Sequence, residues 1–271
     1  MSNNSKPQYQ IDFPEQDVLI DRIGNIFSSN ANPKKLSKLK WQYLCAPGGK
    51  SYSAFAVSEA GADAAVYSVF GVKAKINGQL GLVCQSLDTL TDKDHRGKGL
   101  FTKIARSTFQ KCDQEGVNFV YGFPNSSSAP GFFNKLGWEK IGFPPFLFYL
   151  NNLLYPLSYV LKKEGFYLKN YFFVFLLWLK LLFSSKKKSY TFIDEFDFSS
   201  QYDGIWEKFS ASINTCIWRD SHYMKWRYLQ RPESDYLFKS VYQNDTLIGV
   251  VVYLCVEKHG GRVGYIMDII Y

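Results

Sequence analysis

Little in this chain points to metal or disulfide chemistry. It has five cysteines in 271 residues, at 45, 84, 112, 216 and 255, an odd number with no Cys-x-x-Cys pair. That usage suits a reducing compartment better than a disulfide framework. Three histidines, at 95, 222 and 259, are too scattered for metal-ligand spacing, so no metal is expected. Nor is there an N-terminal signal pattern: MSNNSKPQYQ is polar and FPEQD follows it closely. The net charge of +8 fits nucleic acid, a membrane surface or an anionic cofactor. Recognisable nucleic-acid motifs are absent and the lysines are dispersed except at 186–188, so nucleic acid is not an expected partner. Together these absences give a cytoplasmic expectation.

Aromatic residues, by contrast, are plentiful: 18% of the chain, with 23 Phe and 19 Tyr, so cores are easily filled. The organising stretch is Leu87 to Ala105, LDTLTDKDHRGKGLFTKIA. An apolar strand, Leu80 to Leu87, leads through a polar turn into Arg96-Gly97-Lys98-Gly99 and then an amphipathic helix. Glycines at 97 and 99 permit positive φ and close approach of a ligand. The first N–H groups and the positive end of the helix point back at this loop. With Arg96 and Lys98 beside them, strand, loop and helix start make a phosphate cradle. It is not a P-loop, because no Gly-Lys-Ser/Thr follows at the required spacing. It is not a dinucleotide fingerprint either, because Thr102 stands where the third glycine belongs. The period predicts a helix from Leu100 with Leu100, Phe101, Ile104, Ala105, Phe109 and Cys112 on one face and a stop at Gly116. Val117 to Phe123 reads as a second buried strand. Pro124 to Ser128 reads as a polar loop, and Ala129 onward as a short helix ending at Gly137.

This order resembles the GNAT acetyltransferase superfamily. The signature Arg/Gln-x-x-Gly-x-Gly/Ala reads here Arg96-Gly97-Lys98-Gly99-Leu100-Phe101. The downstream signature, an Asn and then an aromatic-x-Lys-x-Gly-aromatic helix, reads Asn125 and Phe133-Asn134-Lys135-Leu136-Gly137-Trp138. The resemblance covers roughly residues 38–148 and implies an α/β (α+β) fold, a mixed, mostly antiparallel sheet flanked by helices. It also implies acetyl-coenzyme A as acyl donor. The amides of Arg96, Gly97, Lys98, Gly99, Leu100, Phe101 and Thr102 would hold the pyrophosphate. The backbone of Thr89, Leu90 and Thr91 would pair with the pantetheine arm, and Asn125 would fix that arm from the neighbouring strand. Two positions depart from the family. Phe101 replaces the last Gly/Ala, on the apolar face of the helix. Phe133 replaces the frequent Tyr that protonates the leaving thiolate, and a phenyl ring cannot act as an acid.

Elsewhere, residues 1–13 read as a loose arm, and Asp17 to Phe27 as a helix with Val18, Leu19, Ile23 and Phe27 inward. Lys34 to Tyr43 reads as a second helix, and Ser53 to Ser58 and Ala64 to Ile76 as strands. Asn77-Gly78 signals a hairpin. Phe146 to Phe183 is strongly apolar and precedes Lys186-Lys187-Lys188. Tyr171 to Phe183 is short for a membrane span. A buried linker helix, a helix lying in a membrane interface through 165–188 and a true span are the three readings. The interface reading would put the protein on the inner face of a membrane.

A repeat follows. Met224-Lys225-Trp226-Arg227-Tyr228 echoes Leu39-Lys40-Trp41-Gln42-Tyr43, and each copy precedes a Pro-containing turn, two strands and a Gly-containing hairpin, Asn77-Gly78 or Gly260-Gly261. The expected organisation is therefore an acyl-coenzyme A-binding domain at 14–150, a connecting segment at 151–190 and an incomplete second GNAT-like unit at 191–271. Because that unit stops inside the strand equivalent to the one before the cradle, a fragment or truncated product is also expected.

Acyl transfer to an amine needs a bound thioester, a deprotonated amine and a stabilised oxyanion. Asp88 is the carboxylate nearest the expected thioester and the candidate base, or else a strand-end cap. Tyr121 is the candidate replacement acid, or else a packing residue. The acceptor is expected to be a small-molecule or envelope-precursor primary amine, such as an amino sugar. Two rival readings stand beside this one: a non-catalytic coenzyme A-binding scaffold, motivated by Phe133 and the incomplete copy, and an aminoacyl transferase of the tandem GNAT-fold type. The glycine cradle argues against the latter.

Overall fold

The computed structural model describes residues 8–142, 190–194, 198–258 and 261–271. In chain order its elements are β1 (Tyr9–Asp12), α1 (Gln16–Ser29), α2 (Leu36–Tyr43), β2 (Ser51–Ser58), β3 (Asp63–Ile76), β4 (Gln79–Thr91), α3 (Leu100–Gln114), β5 (Val120–Tyr121), α4 (Ala129–Leu136), β6 (Thr191–Ile193), α5 (Ser200–Ala211), β7 (Cys216–Ile217), α6 (Ser221–Met224) with a π turn at Lys225–Leu229, β8 (Leu237–Gln243), β9 (Thr246–Lys258) and β10 (Gly261–Ile270). The described residues fall into two compact units. One comprises 8–141 and 198–234, the other 142, 190–194, 235–258 and 261–271.

The first unit is built on a sheet of order β1-β2-β3-β4-β5, with the short β7 beside β3. All pairs are antiparallel except β4–β5. β3 is buried on both faces over most of its length, as its continuous run AAVYSVFGV requires. The β3–β4 turn places Asn77 and Gly78 at φ 50° and 84°, the two left-handed residues of a tight hairpin. One face of the sheet carries α1 and α2, whose Leu19, Ile23, Phe27, Leu39 and Trp41 close over Phe55, Val66 and Val72. The other face carries α3, whose Leu100, Ile104, Ala105 and Cys112 close over Ala54, Tyr67 and Val69.

The α1/α2 face also receives the segment at 221–229, far along the chain. Trp41 and Trp226, the matching residues of the sequence echo, stack with centroids 4.8 Å apart and planes 14° from parallel. Trp41 Nε1 donates to the Trp226 carbonyl at 2.7 Å, and Trp226 Nε1 donates to the Trp41 carbonyl at 3.0 Å. The contact is thus reciprocal, as at a local two-fold axis.

A tight backbone crossing anchors the start of β2. The Gly48 amide donates to Gly71 O at 3.0 Å, and a Cβ at Gly48 would lie 2.3 Å from the Gly71 carbonyl carbon. Backbone cannot swing aside as a flexible side chain can. Gly48→Ala is therefore expected to destabilise the protein by at least ~2 kcal/mol, read as a lower urea midpoint.

The second unit is an antiparallel sheet of order β10-β9-β8-β6. In chain order β6, α5, α6, β8, β9 and β10, with the short β7 between the two helices, echo β1, α1, α2, β2, β3 and β4, although α5 and α6 pack in the first unit. The likeness extends to irregularities. A register shift at Leu87 in β4 is followed by buried Asp88, and one at Met267 in β10 is followed by buried Asp268.

Several expectations differ from the structure. The arm expected at 1–13 includes a strand, β1, because its backbone pairs with β2 from Tyr9↔Ser58 to Asp12↔Phe55. Val18 points outward, and Ile20 and Ile26 join the buried face of α1 instead. The strand expected over Val117–Phe123 shortens to Val120–Tyr121 because β5 leaves β4 there. The second unit expected at 191–271 is divided, since 198–234 packs with the first unit. The apolar segment 146–183, the lysines at 186–188 and Gly260 lie outside the described residues. Among the described residues no helix is long and apolar enough to cross a membrane.

Candidate active site

The site begins with a bulge. Along β4, Val83 faces the α1/α2 core while Cys84 and Ser86 face the α3 side, where Ser86 Oγ accepts from Tyr67 Oη at 2.9 Å. Leu87 is the extra residue between the pairs Val69↔Ser86 and Ser68↔Asp88. A single extra residue inverts the two-residue alternation, so Asp88 turns to the α1/α2 face, where Leu90 follows it.

The sheet opens at the same level. β4 and β5 pair only at Cys84↔Val120 and Gln85↔Tyr121. Beyond them lies a cleft lined by Ser86, Leu87, Thr89, Gly122, Phe123, Pro124, Asn125, Ser128, Phe132 and Trp138. The Asp92 amide donates to the Ala64 carbonyl. By the alternation of an antiparallel ladder, Leu90 therefore bonds toward β3, and Thr89 and Thr91 turn their backbone groups to the open edge. Of the three residues expected to pair with an extended ligand, two face it. The Thr91 carbonyl accepts from Arg96 Nε at 3.3 Å, which ties the loop to the strand end.

The cradle follows from backbone geometry. Gly97 and Gly99 have φ of 75° and 74°, and a Cβ on either would meet nothing within 4 Å. Conformation, not crowding, calls for glycine at both. Gly99 is the left-handed N-cap of α3, whose first turn contains no acidic residue. The first amides of α3 thus open on a loop bearing Arg96 and Lys98, all exposed up to buried Leu100. Lys98 Nζ donates to Asp94 O at 3.2 Å, and Lys103 Nζ to Tyr9 O at 2.8 Å. Unsatisfied amides, a helix dipole and an excess of cations suit a pyrophosphate. Thr102 is half-buried in the first turn.

Phe101 fits its position because it faces Gly131, where a Cβ would lie 2.8 Å from the Phe101 ring. Its ring also meets Phe132 edge-on at 5.4 Å. The bulk that the signature excludes on α3 is accommodated by a glycine on α4. Phe133 sits on the exposed side of α4, whereas Phe132 lines the cleft. Asn125 lines the cleft too, but its Oδ1 accepts from the Ser127 and Ser128 amides at 3.1 and 2.9 Å and so orders the turn into α4. Ser126 lies in the same turn.

Asp88 is 5% exposed and surrounded by donors. One oxygen pairs with the Lys34 ammonium; the other accepts from Tyr43 Oη at 2.7 Å and Gln42 Nε2 at 3.2 Å. Burial and then the Asp88 charge hold the Tyr43 phenol well above the usual tyrosine range, which keeps it a donor. Tyr121 also packs against the α1/α2 core, and its hydroxyl donates to Gln85 Oε1 at 3.1 Å. Burial raises its pKa, the Tyr223 hydroxyl adds to the rise, and Arg227 opposes it. The two candidate catalytic residues therefore share one face of the sheet, while Phe132, Ser86 and the cleft lining of α4 belong to the other. Lys34, Gln42, Tyr43, Tyr223 and Arg227 were not singled out from the sequence as site residues. The echoed Trp-x-Tyr segments contain or adjoin four of these five, and that echo was the available signal. Among the described residues no group of side chains could hold a metal.

A bulged central strand, a sheet splayed beside it and left-handed glycines feeding a helix start define a GNAT-type fold. Residues 28–141 match the family model described as an acetyltransferase (GNAT) domain. No curated protein matches the sequence. Solved structures share the fold. A GCN5-related N-acetyltransferase from Anabaena variabilis aligns over 97% of this chain and 58% of its own, at 11% identity and a TM-score of 0.64. A conserved protein of unknown function from Enterococcus faecalis, a probable N-acyltransferase, aligns over 92% and 55%, at 9% identity and 0.63. A GCN5-related glucosamine N-acetyltransferase region of a fungal multi-domain GH3 beta-N-acetylglucosaminidase aligns over 92% and 28%, at 12% identity and 0.54. The chain thus spans little more than half of the first two proteins.

Proposed function

We propose that the protein moves an acetyl group from acetyl-coenzyme A to a primary amine. The observation that carries this reading is the left-handed Gly99 N-cap, set at the end of a strand whose outer edge is open from Ser86 onward. The pyrophosphate would sit on the first amides of α3 with Arg96 and Lys98 beside it. The pantetheine arm would bond to Thr89 and Thr91, and the thioester would lie at the splay. Asp88 would receive the proton of the acceptor amine, which would displace or neighbour Lys34 on its carboxylate. Phe133 supplies no acid, so the departing thiolate would take its proton from Ser86, backed by the Tyr67 hydroxyl, or from solvent.

The proposed acceptor is an amino sugar or another envelope-precursor amine, and the glucosamine activity named for the fungal neighbour supports a sugar amine. The repeated element order, the paired bulges and the reciprocal tryptophans support a duplicated GNAT-like unit. A cytoplasmic site of action, with membrane contact through 165–188, completes the proposal.

Release of coenzyme A thiol across a panel of amines tests the activity. For the responding amine, Asp88→Asn should lower kcat by ~100-fold or more, the scale of a lost general base. Full turnover in that variant would remove Asp88 from the mechanism.

A further inference from the structure

The Lys34 ammonium is placed where an acceptor amine would have to be. It lies in the α1–α2 connection and pairs with Asp88, with side-chain exposures of 23% and 6%. It stands 4.2 Å from the centre of the Phe27 ring, which fixes it from a second side. The residues flanking Asp88, Leu87 and Thr89, both line the cleft. Because β5 stops pairing at Gln85, the outer edge of β4 is unpaired at this level. The α1/α2 face there presents a lysine amine, a carboxylate able to take its proton and no intervening strand.

We propose that Lys34 is an internal acetyl acceptor, modified by the protein's own bound acetyl-coenzyme A. This rests on the donor reading above. The ammonium passes one proton to Asp88, and the free Nζ attacks the thioester carbonyl. The new C–N bond forms as the C–S bond breaks. The second Nζ proton neutralises the departing thiolate, so coenzyme A leaves as the thiol, and Asp88 returns its proton to solvent. The product amide is neutral and cannot hold the ion pair. Acetylation therefore strips Asp88 of its cation and changes the site that an external amine would meet.

The test incubates the full chain with acetyl-coenzyme A, maps acetyl-lysine by mass spectrometry and measures donor binding by calorimetry in parallel. Lys34 should be acetylated at least about tenfold faster than exposed lysines, the advantage of a held amine. The rate per molecule should not depend on protein concentration. Lys34→Arg, which keeps the ion pair, should lose the modification, and Gly99→Glu, which keeps Lys34, should lose it together with donor binding. Binding without modification of Lys34 overturns the inference and leaves the donor reading standing. Equal modification in Gly99→Glu marks simple chemical acetylation and also overturns it. Neither binding nor modification in a folded protein overturns both.

Discussion

Acetyl-coenzyme A is expected to stop stabilising the protein when Gly99 is replaced by glutamate. Two effects combine at this position. The φ of 74° is left-handed, which costs a side-chain-bearing residue roughly 1–2 kcal/mol. Relaxing that strain would turn the first amides of α3 away from the loop. The carboxylate would also stand beside those amides and Arg96, the proposed phosphate site, and would repel a phosphate there. Unliganded stability should fall only by about the strain, because no Cβ contact closer than 4 Å is created. In the wild type, a ligand at one hundred times its Kd stabilises by ~2.7 kcal/mol, a readily measured rise in Tm. The variant should show no rise at the same concentration. A full rise would place the pyrophosphate elsewhere.

The second large effect concerns Trp41, which holds a segment nearly two hundred residues away in sequence. It is 7% exposed, stacked on Trp226 and hydrogen-bonded to it in both directions. Trp41→Ala removes the ring and leaves the Trp226 carbonyl without its indole donor. A cost of ~4 kcal/mol is expected, a large part of a usual stability of 5–15 kcal/mol. Urea unfolding of Trp41→Ala, Trp226→Ala and the double variant measures it. The coupling should reach about 1 kcal/mol or more, because the pair shares one contact. Additive costs would mean that the two rings are buried independently.

The cradle was legible because its signals are local. Positive-φ glycines at 97 and 99 and a 3.6-residue period from Leu100 fix a loop and helix without help from the rest of the chain. The orientation of Asp88 was not legible. It depends on the extra residue at Leu87, and a bulge within a run such as LVCQSLDTL carries no mark in composition. The partners of Asp88 come from α2 and the preceding loop, 45 to 54 residues earlier, so only the fold brings them together. The echo of Trp41 in Trp226 was visible as a repeat. That the two copies touch each other could not be read from either. β1 escaped notice because its four residues owe their extended form to pairing with β2 rather than to their own pattern.

Calorimetric titration of acetyl-coenzyme A into the full chain decides whether the Gly99 loop holds the acyl donor. One molecule should bind per chain, and Gly99→Glu should give no heat of binding. An absence of binding to a folded wild-type protein, or binding unchanged in that variant, would contradict it.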